Sequence, residues 1–429
     1  TNPMSYDVLI IGAGHNGLVC AAYLAQAGLK VLILEKNDVV GGAAVTEEFY
    51  PGFRNSVAAY TVSLLNPKVI EDLELHRQGL RIVERKVSNF LPLPNGDSFC
   101  TAPGLTQSEV ARFSKQDAAR LPEYERRLEA IADVVRALVL EAPPNLIEHG
   151  LIHAIEEALR GAQLAGRLNK LDLVAKRDLL DLFAKSAGDW LDHWFESDPV
   201  KAVFGFDSIV GNYASPYSAG SAYVLLHHVF GEVNGKKGQW GHAIGGMGAI
   251  TQAMAATCRE RGVEIRTDAS VKEVLIENGR VQGVLTDKGE TFAARAVASN
   301  LNPKLLFQRL VDAAHQPEDF RERIDRYRCG SGTLRMNVAL SELPRFACKP
   351  EPGDHLTGGI IIAPSLAYMD RAYLDAREHG WSREPIVEML IPSTLDDSLA
   401  PPGQHVASMF CQQVQPVLSG GRSWDDHKE

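Results

Sequence analysis

Gly12-Ala13-Gly14-His15-Asn16-Gly17 sets three glycines at the spacing G-x-G-x-x-G. That spacing serves a pyrophosphate. The first glycine permits a tight turn, the second lets backbone approach the phosphates, and the third lets a helix sit close on a strand. The helix N-terminus adds roughly half a positive charge beneath the phosphates. Glu35 lies 18 residues beyond Gly17. A carboxylate there accepts hydrogen bonds from ribose hydroxyls and repels a 2′-phosphate, which disfavours an NADP-type ligand. Lys36 follows. Then Val39-Val40-Gly41-Gly42-Ala43-Ala44 offers a glycine doublet that can bring a second length of backbone against the nucleotide. Taken alone, the doublet reads equally well as a surface turn.

These residues need a frame. Tyr6–Ile11 is a nearly continuous apolar run, as in a parallel strand buried on both faces. Leu18, Ala21, Ala22 and Ala25 recur on one helical face. Gly28 stands where a helix C-cap belongs, and Lys30–Leu34 reads as the next strand. Far downstream, Gly246 and Gly248 open a helix running to Arg261. Strands Val263–Arg266, Val271–Glu277, Arg280–Thr286 and Thr291–Ala298 follow, the middle two joined by Asn278-Gly279, a favoured hairpin turn. The pattern predicts an α/β protein with a discontinuous Rossmann-like domain, residues 4–60 and 236–300. An inserted α+β domain takes 61–235 and 301–429.

Within the insertion, residues 107–200 are largely helical in pattern. Leu121, Tyr124, Leu128, Ile131, Val134, Val135 and Leu138 keep helical spacing. Arg160 to Arg177 sets Leu164, Leu168, Leu171 and Val174 against a basic complement. A membrane-surface helix would look like this; a solvated helix lying on a core is the favoured reading. Phe204, Phe206, Tyr213, Tyr217, Tyr223 and Phe230 read equally as an apolar cavity lining and as core. His227, His228 and His242 are candidates for proton handling, although each reads first as a hydrogen-bonded structural histidine. His149 and His153 share a helix face, but Gly150 stands where a zinc protease needs glutamate and no third ligand is evident, so no metal is expected.

The 429 residues allow two or three domains. Net charge is −10, which argues against a nucleic-acid partner. Cys20, Cys100, Cys258, Cys329, Cys348 and Cys411 form no C-x-x-C pair, so neither a disulfide framework nor a dithiol centre is expected. No apolar run approaches the roughly 18 residues of a spanning helix, and no secretory signal is evident. The expected location is cytoplasmic, with any membrane contact peripheral.

Gly12–Gly17, Glu35 and the Gly41-Gly42 doublet together resemble the extended FAD fingerprint of glutathione-reductase-type flavoproteins. The stretches GAGHNGLVCAAYLAQAG, GGAAVTEEFYPGFRNSVAAYTVSLL, ASPYSAGSAYVLLHHVFGEVNGKKGQWGHAIGGMGAITQAM and AVASNLNP are similar to the phytoene-desaturase-like FAD oxidoreductases. They are most similar to the branch named for pyridine nucleotide-disulphide oxidoreductase domain-containing protein 2. The likeness runs from about residue 5 to the end. It implies a glutathione-reductase-type FAD-binding domain holding FAD non-covalently through Gly12, Gly14, His15, Asn16, Gly17, Glu35, Lys36, Gly41 and Gly42. It also implies that the Val271 backbone meets the adenine, and that Asn300 ends the strand returning to the cofactor. The chemistry implied is hydride transfer from an apolar substrate to the flavin. Oxygen, a quinone or another carrier would take the electrons, and a homodimer is an allowed assembly.

Members of that family return to the FAD domain near their end through a strand, an acid or small residue, and a glycine-rich helix start. Nothing after His405–Val417 has this form, and Ser423-Trp424-Asp425-Asp426 reads as a capping box opening a helix. The expectation is a complete ADP half of the site without the flavin-capping segment. Two other readings remain open. An amine-oxidase-like enzyme would need an aromatic cage beside the flavin. A non-catalytic binding or assembly protein keeping the fold would show a flavin position that is blocked, or that has no cavity beyond it. No catalytic residue is assigned.

Overall fold

The structure, a computed structural model, describes residues 5–145 and 151–427, with 151–155 described by backbone alone. β1 (Tyr6–Ile11) passes through a glycine turn into α1 (His15–Gln26) and then β2 (Val31–Leu34). Leu9, Ile10 and Ile11 of β1 and all four residues of β2 are buried. α1 turns Gly17, Leu18, Ala21 and Ala22 inward, small side chains that let it lie close to the strands. It ends at Ala27, and Gly28 follows with φ +84°, the left-handed conformation that favours glycine.

The hairpin β3 (Thr46–Tyr50) and β4 (Phe53–Ser56) comes next, then β5 (Asn89–Pro92) and β6 (Ser98–Thr101). A helical region follows, with α2 (Lys115–Arg136), α3 (Leu151–Asn169), α4 (Leu173–Ala184), α5 (Asp198–Phe206) and α6 (Ser221–His228). α2 begins ahead of the apolar run at Leu121 because Ser114 caps it, its hydroxyl accepting the Asp117 N–H at 3.0 Å. The basic stretch 160–177 departs from the expected single helix. α3 stops at Asn169, and Asp172 caps a new helix by accepting the Ala175 N–H at 2.7 Å. A local cap outweighs the apolar period here. Leu173, Leu180 and Phe183 point to solvent. Asp178 is buried and accepts from Arg127 Nε at 2.6 Å, tying α4 to α2. His149 lies outside the described residues, and His153 is described by backbone alone.

α7 (Gly248–Glu260) leads into β7 (Glu264–Arg266), β8 (Val271–Glu277), β9 (Arg280–Thr286) and β10 (Thr291–Ser299). The Asn278-Gly279 turn has φ of 52° and 73°, as a two-residue hairpin with positive φ at both positions requires. The chain ends through β11 (Thr333–Leu340), β12 (Gly359–Ile362), α8 (Leu366–His379), β13 (Trp381–Leu390) and β14 (His405–Val414).

Two six-stranded sheets result. The first has the order β7-β2-β1-β10-β9-β8. β1 runs parallel to β2 and to β10, with Ile11 beside Leu34 and Ser299, so several strands end together at one edge. The second has the order β11-β14-β13-β12-β5-β6, and β12 runs parallel to β5, with Gly359 beside Asn89. A core of Leu18, Ile33, Ala253 and Met254 lies against the first sheet. A larger one, including Leu182, Trp190, Phe195 and Leu225, fills the helical region. β14 stays in the second sheet. Trp424–His427 then forms a 3-10 turn, with Ser423 Oγ accepting the Asp425 N–H at 3.1 Å, where the capping-box pattern predicts an α-helix. Among the described residues, no helix is long and apolar enough to cross a membrane.

Candidate functional site

At the edge where β1 and β2 end, the glycine turn and the glycine doublet lock together. Gly14 and Gly41 form a parallel bridge, and the Gly41 N–H donates to Ala13 O at 2.9 Å. A Cβ at Gly42, whose φ is +60°, would stand 3.0 Å from Gly14 Cα. A Cβ at Gly17 would stand 2.4 Å from the Gly12 carbonyl, so this glycine sets the distance between α1 and β1. Glu35 is 5% exposed. Its Oε2 accepts the Ala13 N–H at 2.7 Å and its Oε1 accepts the Asn37 N–H at 3.0 Å. Each oxygen keeps a lone pair free for a ribose hydroxyl.

A cavity of about 420 Å³ opens at this point. Gly12, Gly14, His15, Glu35, Lys36 and Gly42 line one side of it, and Val271 and Asn300 the other. Gly17, Gly41 and Asn16 are not among its lining residues. Asn16 Nδ2 donates to Asn300 Oδ1 at 3.1 Å, joining the N-terminus of α1 to the end of β10. The expected residues thus gather from five separate stretches of chain, 12–17, 35–36, 41–42, 271 and 300. The fit to a dinucleotide rests on backbone that can be approached at Gly14 and on a fixed carboxylate at Glu35.

A second cavity, of about 950 Å³, adjoins the first. Ala43 lines the smaller cavity and Ala59 the larger, and the Ala59 N–H donates to Ala43 O at 2.9 Å. Much of the large cavity is apolar, walled by Leu128, Phe204, Phe206, Val210, Leu225 and Val229. Its polar side was not foreseen. Arg335, Phe410 and Glu388 stand in one row across β11, β14 and β13. The Tyr60 hydroxyl donates to Glu388 Oε2 at 2.5 Å, and the Arg335 guanidinium lies 4.5 Å from the Tyr60 ring centroid. Burial, reinforced by the Glu388 charge, pushes the Tyr60 hydroxyl well above the usual phenol range. Arg85 lines the same cavity and donates to the Thr61 hydroxyl. Asp207 completes the set, with its carboxyl pushed up to about 8 by burial and then by the Glu388 charge. Its side chain is part-exposed, on the wall of the cavity.

Such residues leave little trace in sequence. Glu388 is the exception: it interrupts an inward-facing row between Ile386 and Leu390, and a buried acid on an apolar strand face is a visible signal.

The expected histidines separate. His228 lines the large cavity, stacked on Trp240 with ring centroids 5.8 Å apart, its Nδ1 bonded to Val224 O at 2.8 Å. Burial lowers its pKa. His227 is half-buried and lines neither cavity. His242 is buried in a structural joint, with Nε2 donating to Asp396 Oδ2 at 2.9 Å. Asp396 also accepts the Gly245 N–H at 2.7 Å and the Ser398 N–H at 3.0 Å. Burial would raise its carboxyl, but the bonds from His242, Ser398 and Gly245 outweigh this and hold it well below the usual range. Asp396→Ala leaves those buried donors unpaired and is expected to cost about 2 kcal/mol in a denaturant titration. Of the aromatic residues, Phe204 and Phe206 serve cavity and core together, while Tyr217 and Tyr223 are exposed.

Comparison with known proteins supplies the family. The chain is 36% identical over 445 residues to pyridine nucleotide-disulfide oxidoreductase domain-containing protein 2 of Rattus norvegicus, covering 99% of this chain and 76% of the relative. It is 27% identical to a component of the limonene dehydrogenase of Castellaniella defragrans, covering 98% of this chain and 75% of that one. Its fold is similar to that of a putrescine oxidase triple mutant, with a TM-score of 0.58 and 18% identity over 95% of this chain and 76% of that one. The architecture is therefore the mixed α/β FAD-binding fold of flavin amine oxidases. With the family's sequence profile, flavin containing amine oxidoreductase, matching residues 17–334, the chain belongs to that family of FAD-dependent oxidoreductases.

Proposed function

We infer that the protein removes a hydride from carbon in a largely apolar substrate, in the manner of dehydrogenases and desaturases. The observation that carries this reading is the largely apolar cavity of about 950 Å³ whose wall at Ala59 is hydrogen-bonded to the wall of the nucleotide cradle at Ala43. The first sheet with its helices serves as a discontinuous cofactor domain of glutathione-reductase type, and the second sheet with the helical region as the inserted substrate domain. In the cradle, Glu35 would hold the ribose, and Gly12, Gly14 and the α1 N-terminus the pyrophosphate. Gly42 and Lys36 would close over it, and the Val271 backbone would meet the adenine. Asn300, held by Asn16, would face the middle of the cofactor. FAD, when bound, supplies the two-electron acceptor.

The chain's own residues do the rest. Phe204, Phe206, Val210, Leu225 and Val229 bind an apolar body and exclude water from it. The Tyr60 hydroxyl donates to Glu388 along a 2.5 Å contact and, pushed well above the usual phenol range, holds its proton at the cavity wall. Asp207 presents a carboxyl that keeps its proton at neutral pH.

The amine-oxidase reading is less well supported. One face of Tyr60 is covered by Arg335, so Tyr60 and Phe410 do not make an open aromatic cage, and a cation placed beside Arg335 and Arg85 would be repelled. The non-catalytic reading requires a flavin position that is blocked, or one open to solvent with no cavity beyond it, and the large cavity counts against the second of these. Anaerobic mixing of FAD-loaded protein with terpene and retinoid panels, beside a panel of primary amines, tests the proposal. Bleaching of the flavin band by an apolar compound alone is expected. Bleaching by amines alone would overturn it.

A further inference from the structure

One buried cation on the wall of the large cavity lacks an ion-pair partner. Arg85 is 8% exposed and lines the cavity. Its guanidinium donates to the Thr61 hydroxyl, and among the described residues no carboxylate lies within ion-pair distance of it. Arg335 stands behind Tyr60, with Nε and Nη1 buried and without hydrogen-bond partners. Glu388 lines the cavity as well, with one oxygen already taken by Tyr60, and Glu125, Glu129, Arg126 and Lys237 stand elsewhere in the lining. Asp207 has no hydrogen-bond partner among the described residues, and burial pushes its carboxyl up to about 8. Arg85 is therefore a buried guanidinium on the cavity wall without a carboxylate partner, on a lining that also holds the apolar Leu128, Phe204, Phe206, Val210 and Leu225. Leaving a buried cation unpaired is strongly unfavourable, and an anion that enters relieves it.

We propose that the cavity takes a substrate with an apolar body and a single carboxylate end, and that Arg85 receives the carboxylate. A planar guanidinium suits a planar carboxylate, offering parallel N–H donors in a fixed plane. Leu128, Phe204, Phe206, Val210 and Leu225 then enclose the rest of the molecule. Arg335, held by the Tyr60 ring, adds positive potential from behind the wall without touching the ligand. This inference rests on the apolar-cavity reading above and narrows it from apolar molecules in general to amphipathic acids.

The test uses cis-parinaric acid and its methyl ester as fluorescent probes. They share an apolar chain and differ in charge. Each is titrated into FAD-loaded wild-type, Arg85→Gln and Arg85→Lys protein, with thermal midpoint and retained flavin checked for every variant. The acid is expected to bind the wild type at least about tenfold more tightly than the ester. Arg85→Gln should bring the acid down to the level of the ester and leave the ester unchanged, and Arg85→Lys should recover part of the difference. Equal binding of acid and ester to the wild type overturns the anion site while leaving the apolar cavity standing. Loss of both probes together in Arg85→Gln also overturns the anion site. Failure of both probes to bind the wild type removes the apolar-cavity reading as well. Should Arg85→Gln fail to fold, the wild-type acid-to-ester ratio and Arg85→Lys decide the matter by themselves.

Discussion

Gly14→Ala is expected to leave the protein folded and to strip it of FAD. Gly14 has φ −69° and ψ 168°, a conformation open to any residue. A Cβ built there finds its nearest neighbour, Gly42 Cα, at 3.9 Å, an ordinary contact. The added methyl group nevertheless points into the approach that backbone offers a pyrophosphate in this cradle. FAD affinity should fall about 100-fold, or about 2.7 kcal/mol, with little change in thermal midpoint. Gly17→Ala should behave differently. Its methyl would meet the Gly12 carbonyl at 2.4 Å, and neither partner is a flexible side chain. α1 must lift away from β1, which should cost about 3 kcal/mol of stability and lose FAD as a consequence. Fluorescence titration with FAD beside a thermal melt separates the two. Wild-type FAD affinity in Gly14→Ala would show that the cradle is assigned to the wrong ligand.

Asp207→Asn is expected to stabilise the protein near and above neutral pH. The carboxyl has an ordinary value of 3.8 and is raised to about 8 in the fold, first by burial and then by Glu388. The groups facing it include Glu388 from β13 and Tyr124 from α2. Between those two values the folded state holds a proton that the unfolded state has released. The stability tied to this proton is complete below about pH 4 and drains away as pH rises to about 8. At pH 7 the loss is on the order of 3 kcal/mol, allowing for water in the cavity. Asparagine cannot ionise and keeps the shape, so the variant should melt several degrees higher than wild type at pH 8 and match it at pH 4. Parallel melting curves across that range would show that Asp207 ionises freely in the fold.

Why the cradle is legible and the cavity is not follows from where their residues lie. Gly12, Gly14, Gly17 and Glu35 sit within one strand–helix–strand unit. Their spacing is imposed by one turn and one helix length, and the same is true of the Asn278-Gly279 hairpin, whose strands begin and end where the pattern puts them. The helix break at Asp172 shows the limit of periodicity, because a single capping side chain ended a pattern that ran on in sequence. The second sheet depends on pairings such as Gly359 with Asn89, far apart in the chain and without a local signature. Tyr60, Arg85, Asp207 and Glu388 come from four distant segments and meet only once both sheets are built. Each looks like an ordinary surface residue until its surroundings are known. Only Glu388, set between Ile386 and Leu390, betrays itself.

The central claim is that the cradle at the head of the first sheet holds FAD beside the large, mostly apolar cavity. The most direct measurement is the flavin-to-protein ratio of this 429-residue chain, from its visible spectrum after FAD is added and free cofactor removed by gel filtration. The account predicts about one flavin per chain for wild type and a marked loss in Gly14→Ala at equal thermal stability. A wild-type protein that melts cooperatively yet retains no flavin would contradict it.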